Sequence, residues 1–160
     1  MLHLALHEPE IPPNTGNLIR LAANTGVTLH LIHPLGFRLD EPGLKRAGLD
    51  YHEWARVREH ADWSAFVAEL PGARIWAFTT RGTRRYSDVA YAEGDVLLFG
   101  SESRGLPEAL RESFAPERRL RLPMREGSRS LNLANAASIA VYEAWRQLGF
   151  ACSVLESQRA

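Results

Sequence analysis

Apolar and polar positions along the chain switch repeatedly between two periods. Short aliphatic runs mark strands, and apolar residues spaced three and four apart mark helices. Leu2 to His7 is the first expected strand, followed by a stretch carrying Pro9, Pro12 and Pro13. Thr15 to Thr25 then reads as a helix, with Asn14 at the capping position and Gly26 just beyond its end. Val27 to Ile32 is a second strand, closed by Pro34 and Gly36. A short helix around Leu44 to Ala47 and a short strand near Trp54 to Val57 are expected next. Asp62 to Leu70 sets Trp63, Phe66, Val67 and Leu70 at helical spacing and is stopped by Pro71-Gly72. Arg74 to Thr79, Val96 to Phe99 and Leu120 to Leu122 read as strands. Leu106 to Phe114, with Pro107 at its start, and Leu131 to Leu148, ending at Gly149, read as helices. Val96 to Phe99 is uninterruptedly apolar, as expected of a central parallel strand buried on both faces.

This alternation predicts an α/β domain with a mostly parallel sheet flanked by helices. Residues 1–150 are expected to form one domain, with 151–160 as a loosely held tail. No apolar run approaches the ~20 residues of a membrane span. The opening MLHLALHEPE lacks the basic-then-apolar pattern of a signal peptide. Cys152 is alone, which excludes an internal disulfide and a thiolate metal cluster, so a cytoplasmic protein is expected. A hydrophobic content of 45% argues against disorder. The 19 basic and 19 acidic side chains cancel, which argues against a generally basic coat for nucleic acid and leaves room for a local basic patch. Lys45 is the only lysine, so nearly every cation is arginine, the side chain suited to bidentate phosphate contacts and base stacking.

Parallel sheets bind ligands at the carboxyl ends of their strands, which directs attention to the loops. After the first strand comes Pro12-Pro13-Asn14-Thr15-Gly16-Asn17-Leu18-Ile19-Arg20. It has neither the glycine spacing of a dinucleotide fold nor the Gly-Lys-Ser/Thr of a phosphate loop. Its helix opening offers free N–H groups, and a capping Asn with a surface Arg would serve equally well. After the apolar strand comes Gly100-Ser101-Glu102-Ser103-Arg104-Gly105-Leu106-Pro107. Here Gly100 can admit a ligand close to the backbone, and Gly105 an unusual backbone angle. After the last strand, Leu122-Pro123-Met124 leads through Arg129 and Ser130 to Asn132 and Asn135 at the mouth of the longest helix. Close helix packing explains the alanines there better than it explains the two asparagines.

Other candidates are weaker. Arg81, Arg84 and Arg85 form a basic cluster after a strand, either a solvated loop or a contact for RNA phosphates. His3 and His7 can share a strand face, and His30 and His33 lie at the end of a strand. With no cysteine or paired carboxylate to complete a ligand set, no metal is expected. Trp54, Trp63, Trp76 and Trp145 suit core or interface positions.

Taken together, the three loops resemble the three motifs of the SPOUT superfamily of RNA methyltransferases. The carriers are Asn14-Thr15-Gly16-Asn17-x-x-Arg20, then Phe99-Gly100-x-Glu102-x-x-Gly105-Leu106-Pro107, then Leu122-Pro123-Met124 with Arg129-Ser130-Leu131-Asn132-Leu133-x-Asn135-Ala136. The opening Glu8 to Asn17, the stretch Arg46 to His52 and the stretch Tyr142 to Gly149 are similar to the TrmL type, whose members methylate the ribose of the tRNA wobble nucleotide, a cytidine or modified uridine. The similarity runs to about Phe150. Ser101 stands where a Pro is frequent, and Ala134 where a Ser is frequent.

The resemblance implies an α/β fold with a C-terminal trefoil knot, an obligate homodimer, and S-adenosylmethionine as cofactor. By position, Phe78, Thr79, Gly100, Leu122, Met124, Ser130 and Leu131 would bind that cofactor. Arg20, Asn14 and Glu102 take the catalytic positions, with Arg20 completing the partner's site. A guanidinium does not give up its proton in proteins, so Arg20 suits charge stabilisation and phosphate binding better than base catalysis. Glu102 or solvent would take the hydroxyl proton. Asn14, Ser130 and Asn132 would orient Arg20 or the ribose. Arg20, Asn132, Arg81, Arg84, Arg85 and Arg129 would contact the tRNA, along with Arg104 and Arg125. Tyr142 and Trp145 suit a dimer interface or ordinary core. Two alternatives stand beside this one: the same chemistry on another RNA nucleotide, and a non-catalytic RNA-binding module.

Overall fold

A computed structural model describes residues 1–40, 51–54 and 56–154, with residues 51 and 52 described by backbone alone. Among the described residues, seven strands form one sheet: β1 (His3–His7), β2 (Thr28–Ile32), β3 (Val57–His60), β4 (Ile75–Phe78), β5 (Arg84–Arg85), β6 (Val96–Phe99) and β7 (Arg119–Arg121). Their spatial order is β3-β2-β1-β6-β4-β7-β5, and every pairing is parallel. The helices are α1 (Pro12–Thr25), α2 (Tyr51–Trp54), α3 (Trp63–Glu69), α4 (Glu108–Ser113) and α5 (Leu133–Gln147).

The apolar run Val96–Phe99 lies between β1 and β4 and is buried along its length. Because side chains alternate across a strand, this one run feeds two cores. Leu97 and Phe99 join Leu4, Leu6, Leu29 and Leu31 under α1 and α5, while Val96 and Leu98 join Ala5, Ile32, Ala77 and Phe66 on the opposite face. Each fully buried aliphatic side chain contributes about 1.5–3 kcal/mol of transfer free energy. At the amino ends of the strands, Asp95 is almost fully buried. Its carboxylate accepts from Arg74 Nε at 2.7 Å and Nη2 at 2.6 Å, from Trp76 Nε1 at 2.9 Å, and from the Ala92 amide at 2.9 Å. Arg74 and Arg118 both lie over the Trp76 ring, at 5.0 and 5.1 Å.

Several boundaries differ from the sequence expectation. Helix α1 starts at Pro12, because Pro12 and Pro13 suit the first helical positions, where no N–H is needed. Asn14 therefore falls inside the first turn instead of at the cap, which is Ile11. Gly26 does close the helix, with φ +78°. The strand expected near Trp54 to Val57 is Val57–His60, and Trp54 ends helix α2. The shift follows from register: β3 pairs Leu29–Ile32 with Val57–His60, which buries His60. Arg84–Arg85, expected in a loop, form edge strand β5 against β7. The last strand, expected at Leu120 to Leu122, is Arg119–Arg121. Pro107 caps α4 from outside, and Asp62 caps α3 by accepting from the Ala65 amide at 2.8 Å. On α3 only Phe66 is fully buried, and Val67 is exposed. The helix expected around Leu44 to Ala47, and most of the stretch Arg46 to His52, lie outside the described residues. No described helix is long and apolar enough to cross a membrane.

Candidate active site

Four loops meet at the carboxyl ends of β1, β4, β6 and β7, where a parallel sheet places its ligands. The turn after β6 is built first by glycine. Gly105 has φ +68°, its N–H donates to the Ser101 carbonyl at 2.8 Å, and the chain folds back over Gly100. A Cβ on Gly100 would lie 2.0 Å from the Gly105 carbonyl carbon. The Cβ position at Gly100 is thus filled by the protein's own backbone, which accounts for a glycine there.

This turn aims Glu102 at the loop after β1. Its carboxylate accepts from the Glu10 amide at 2.7 Å, the Ile11 amide at 3.1 Å and Asn14 Nδ2 at 3.0 Å. A carboxylate here only accepts, so the Asn14 nitrogen faces it and the Asn14 oxygen is left for another donor. That donor is Asn132 Nδ2, at 2.9 Å. Asn132 Oδ1 in turn caps α5, accepting from the amides of Ala134 at 2.9 Å and Asn135 at 3.3 Å. One polar chain thus runs from Glu102 through Asn14 and Asn132 into the N-terminus of the longest helix. It explains why an asparagine opens that helix, and why one sits buried in α1.

The loops enclose a cavity of about 470 Å³, within the range of roughly 300–1,000 Å³ usual for small-molecule sites. Phe78, Thr79, Gly100, Leu122, Met124, Ser130 and Leu131, singled out for a cofactor, all line it. Phe78 is held by stacking on Phe99, with ring centroids 4.5 Å apart and planes 14° apart. Asn14, Glu102, Asn132 and Arg81 line it too. Thr80, Arg111 and Arg121 also line it and escaped the sequence reading. Arg121 was accessible in principle, since it ends a strand at the sheet's ligand-binding edge. Arg111 is mostly buried and paired with Glu108 at 3.3 Å and Glu112 at 3.0 Å, which no motif signals. Among the described lining residues, Arg81, Arg104, Arg111 and Arg121 face a single acid, Glu102.

Other sequence candidates lie elsewhere. Arg20 does not line the cavity; its Nε donates to Glu53 of α2 at 3.0 Å. Arg84 donates to the carbonyls of Asp88 at 2.8 Å and Glu117 at 3.4 Å, and Arg85 pairs with Asp88 at 3.4 Å. Both are thus tied to the protein itself. Arg129 is exposed beside the cavity and outside its lining. Tyr142 is exposed on α5 and meets Trp145 edge-on.

A second polar cluster lies on the α3 face, at the other edge of the sheet. His3 Nδ1 is 2.9 Å from His30 Nε2, and His30 Nδ1 is 2.8 Å from His60 Nε2. His60 Nδ1 is 3.5 Å from Glu69. His30, His60 and Glu69 bring ligand atoms within 4.8 Å of one another, a carboxylate the sequence reading had not placed there. The nitrogens between the rings are already hydrogen-bonded to each other. Burial pushes His30 down to about 3, with the neighbouring His3 and His60 adding to it. Burial also lowers His3, His7 and His60.

Comparison with known proteins bears on what this cavity does. Residues 1–142 match the model of the SpoU rRNA Methylase family. The chain is 57% identical over 154 residues to a tRNA (cytidine(34)-2'-O)-methyltransferase of Methylovorus glucosotrophus, covering 96% of this chain and 100% of that one. A solved structure from work on the 2-OH methylation of C/U34 on tRNA superposes with a TM-score of 0.86 at 53% identity, over 93% of this chain and 97% of that one. An AdoMet-bound rRNA methyltransferase from Sinorhizobium meliloti superposes with a TM-score of 0.80 at 26% identity, over 92% of this chain and 56% of that one.

Proposed function

The chain belongs to the SpoU rRNA methylase family, and on that premise we propose that it methylates the ribose 2′-hydroxyl of the tRNA wobble nucleotide, cytidine or modified uridine, using S-adenosylmethionine. One observation supports this most directly. The three motif loops converge on one cavity, in a chain 57% identical along nearly its whole length to a tRNA (cytidine(34)-2'-O)-methyltransferase.

The cavity suits the cofactor. Phe78, Leu122, Met124 and Leu131 offer apolar walls, while Thr79, Ser130 and the backbone at the strand ends offer hydrogen-bonding groups. When bound, S-adenosylmethionine supplies an electrophilic methyl group. The protein's own task is to place a ribose hydroxyl in line with it and keep it there. Asn14 and Asn132, locked to each other, present a fixed polar edge at the cavity wall. Three of Glu102's acceptor positions are filled, two by amides of the loop after β1 and one by Asn14 of α1, so its part is to hold Asn14. The hydroxyl proton then passes to solvent. Arg20, reaching in from the second subunit of a homodimer, binds the adjacent phosphate and stabilises charge building on the ribose oxygen. Arg81, Arg104, Arg121, Arg125 and Arg129 ring the mouth and hold the anticodon backbone. A trefoil knot formed by the C-terminal strands, a single domain ending near residue 150 and a place in the cytoplasm with tRNA complete the proposal.

The experiment is direct. Purified protein is incubated with cofactor and tRNA, and nucleosides are mapped by mass spectrometry. A 2′-O-methyl group at the wobble position is expected. Methylation elsewhere would favour the same chemistry on another nucleotide. An inert protein that does not bind S-adenosylmethionine at millimolar concentration would favour a plain RNA-binding module.

A further inference from the structure

Behind Glu102, the acid in the cavity lining, stands a second carboxylate, Glu10, which does not itself line the cavity. Glu10 returns the grip that Glu102 takes on its own backbone. Its Oε1 accepts from Ser103 Oγ at 2.8 Å, and its Oε2 accepts from the Ser103 amide at 3.0 Å. Two loops more than ninety residues apart in sequence thus hold each other by reciprocal contacts, each carboxylate gripping the backbone that carries the other. A third segment backs this arrangement. The Gly36 amide donates to the Pro9 carbonyl at 2.9 Å, and a Cβ on Gly36 would lie 2.8 Å from the Glu10 Cα. The Glu10 backbone is therefore wedged between Gly36 and the Glu102–Ser103 turn. The two donors of Ser103 hold the Glu10 carboxyl below its ordinary range.

We propose that Glu10 and Ser103 are positioning residues for methyl transfer, a clasp that sets the register of the loops after β1 and β6 and so fixes the direction in which Asn14 faces the cavity. The inference rests on the methyl-transfer reading of that cavity. Its causal chain is short. Ser103 holds Glu10, the Glu10 and Ile11 amides hold Glu102, Glu102 orients Asn14, and Asn14 orients Asn132. Release of the clasp leaves Glu102 free to turn, and Asn14 with it. Ser103 is exposed and Glu10 half-buried, and neither belongs to the two apolar cores. Their loss should leave global stability almost unchanged, while a displacement of about 1 Å at a reacting group costs on the order of a hundred-fold in rate.

The test compares wild type with Ser103→Ala, Glu10→Ala and Ser103→Thr. Backbone amide exchange at Glu10, Ile11 and Ser103 reports the clasp. Turnover and KM on a tRNA anticodon stem-loop, with the affinity for S-adenosylmethionine, report its consequence. In both alanine variants these amides should exchange at least about ten-fold faster, with the melting temperature unmoved. Turnover should fall about ten-fold or more while KM and cofactor affinity hold within about two-fold, and Ser103→Thr should restore both readouts. Unchanged exchange overturns the clasp, whether or not the wild type methylates the stem-loop. Faster exchange with unchanged turnover overturns the positioning role. A wild type inert on every tRNA contradicts the methyl-transfer reading and with it the positioning role, while amide exchange still decides whether the clasp exists.

Discussion

Lowering the pH from 7.5 to 5 should destabilise the protein through its buried histidine row. His30 is neutral in the folded chain, because burial and the adjoining imidazoles push it from 6.5 down to about 3. In the unfolded chain it takes up a proton below about pH 6.5. Between those two values the unfolded state binds more protons, so stability falls as the pH falls. The full shift corresponds to an upper bound of about 5 kcal/mol, reached only near pH 3, and about 2 kcal/mol of it is lost by pH 5. His3, His7 and His60 are also lowered by burial and add in the same direction. Glu69 opposes the shift at His3 and His60, Glu8 opposes it at His7, and Arg58 reinforces it at His30. Glu10, Glu112 and Glu143 are held below their ordinary value of 4.5, so their contributions fade only beneath the chosen window. Urea unfolding followed by tryptophan fluorescence should therefore show a drop of about 2 kcal/mol between pH 7.5 and 5. Scanning calorimetry should show a fall of roughly 4–8 °C in melting temperature. A His30→Leu variant should start less stable, since His3 and His60 each lose a partner, but should lose less on acidification. A wild type equally stable at both pH values, or a variant with the same pH slope, would refute the reasoning.

Further outcomes follow from other parts of the molecule. Asp95→Asn removes the charge that holds Arg74, Trp76 and the Ala92 amide in a buried setting. It should cost about 3–5 kcal/mol in urea unfolding, as when one partner of a buried pair is lost. Arg20→Ala should abolish methyl transfer while calorimetry finds cofactor affinity within about two-fold of wild type, because Arg20 does not line its own chain's cavity. tRNA affinity should fall steeply as salt rises, and Arg121→Ala should flatten that slope by about one, as for one lost phosphate contact. Gly100→Ala should not fold with an intact Ser101–Gly105 turn, since its Cβ has no room; thermal melting and cofactor titration would both register the loss.

Legibility of the sequence varied with the physical origin of each feature. Val96–Phe99 was readable because burial on both faces leaves no polar position to blur the run. Gly26 was readable because a left-handed helix end favours glycine. The two-residue strand β5 was not, since a pair of arginines has no strand signature and the pairing depends on β7 lying alongside. Asn14 was found but misplaced at a helix cap, because a local rule cannot see that Glu102 and Asn132 hold its side chain from the other end of the chain. Glu10 carried no local signal at all: its partner Ser103 lies far away in sequence, and only folding brings them together.

The charge balance illustrates the same limit and its resolution. Equal numbers of acids and bases argued against a generally basic coat for nucleic acid and left room for a local basic patch. The acids are not spread evenly over the arginines. Asp95 neutralises Arg74, Glu108 and Glu112 together neutralise Arg111 and Arg119, Glu143 neutralises Arg146, and Asp88 neutralises Arg85. Of the arginines in these pairs, only Arg111 lines the cavity. Arg81, Arg104, Arg121, Arg125 and Arg129 form no ion pair among the described residues, and all lie at or beside the cavity mouth. Within a Debye length of roughly 8 Å, a phosphate approaching the mouth meets these arginines, while Glu102 in the described lining is already bound by three donors and Glu10 behind it by two. A chain neutral in sum can therefore carry one basic face, because its acids are spent where arginine holds the fold together.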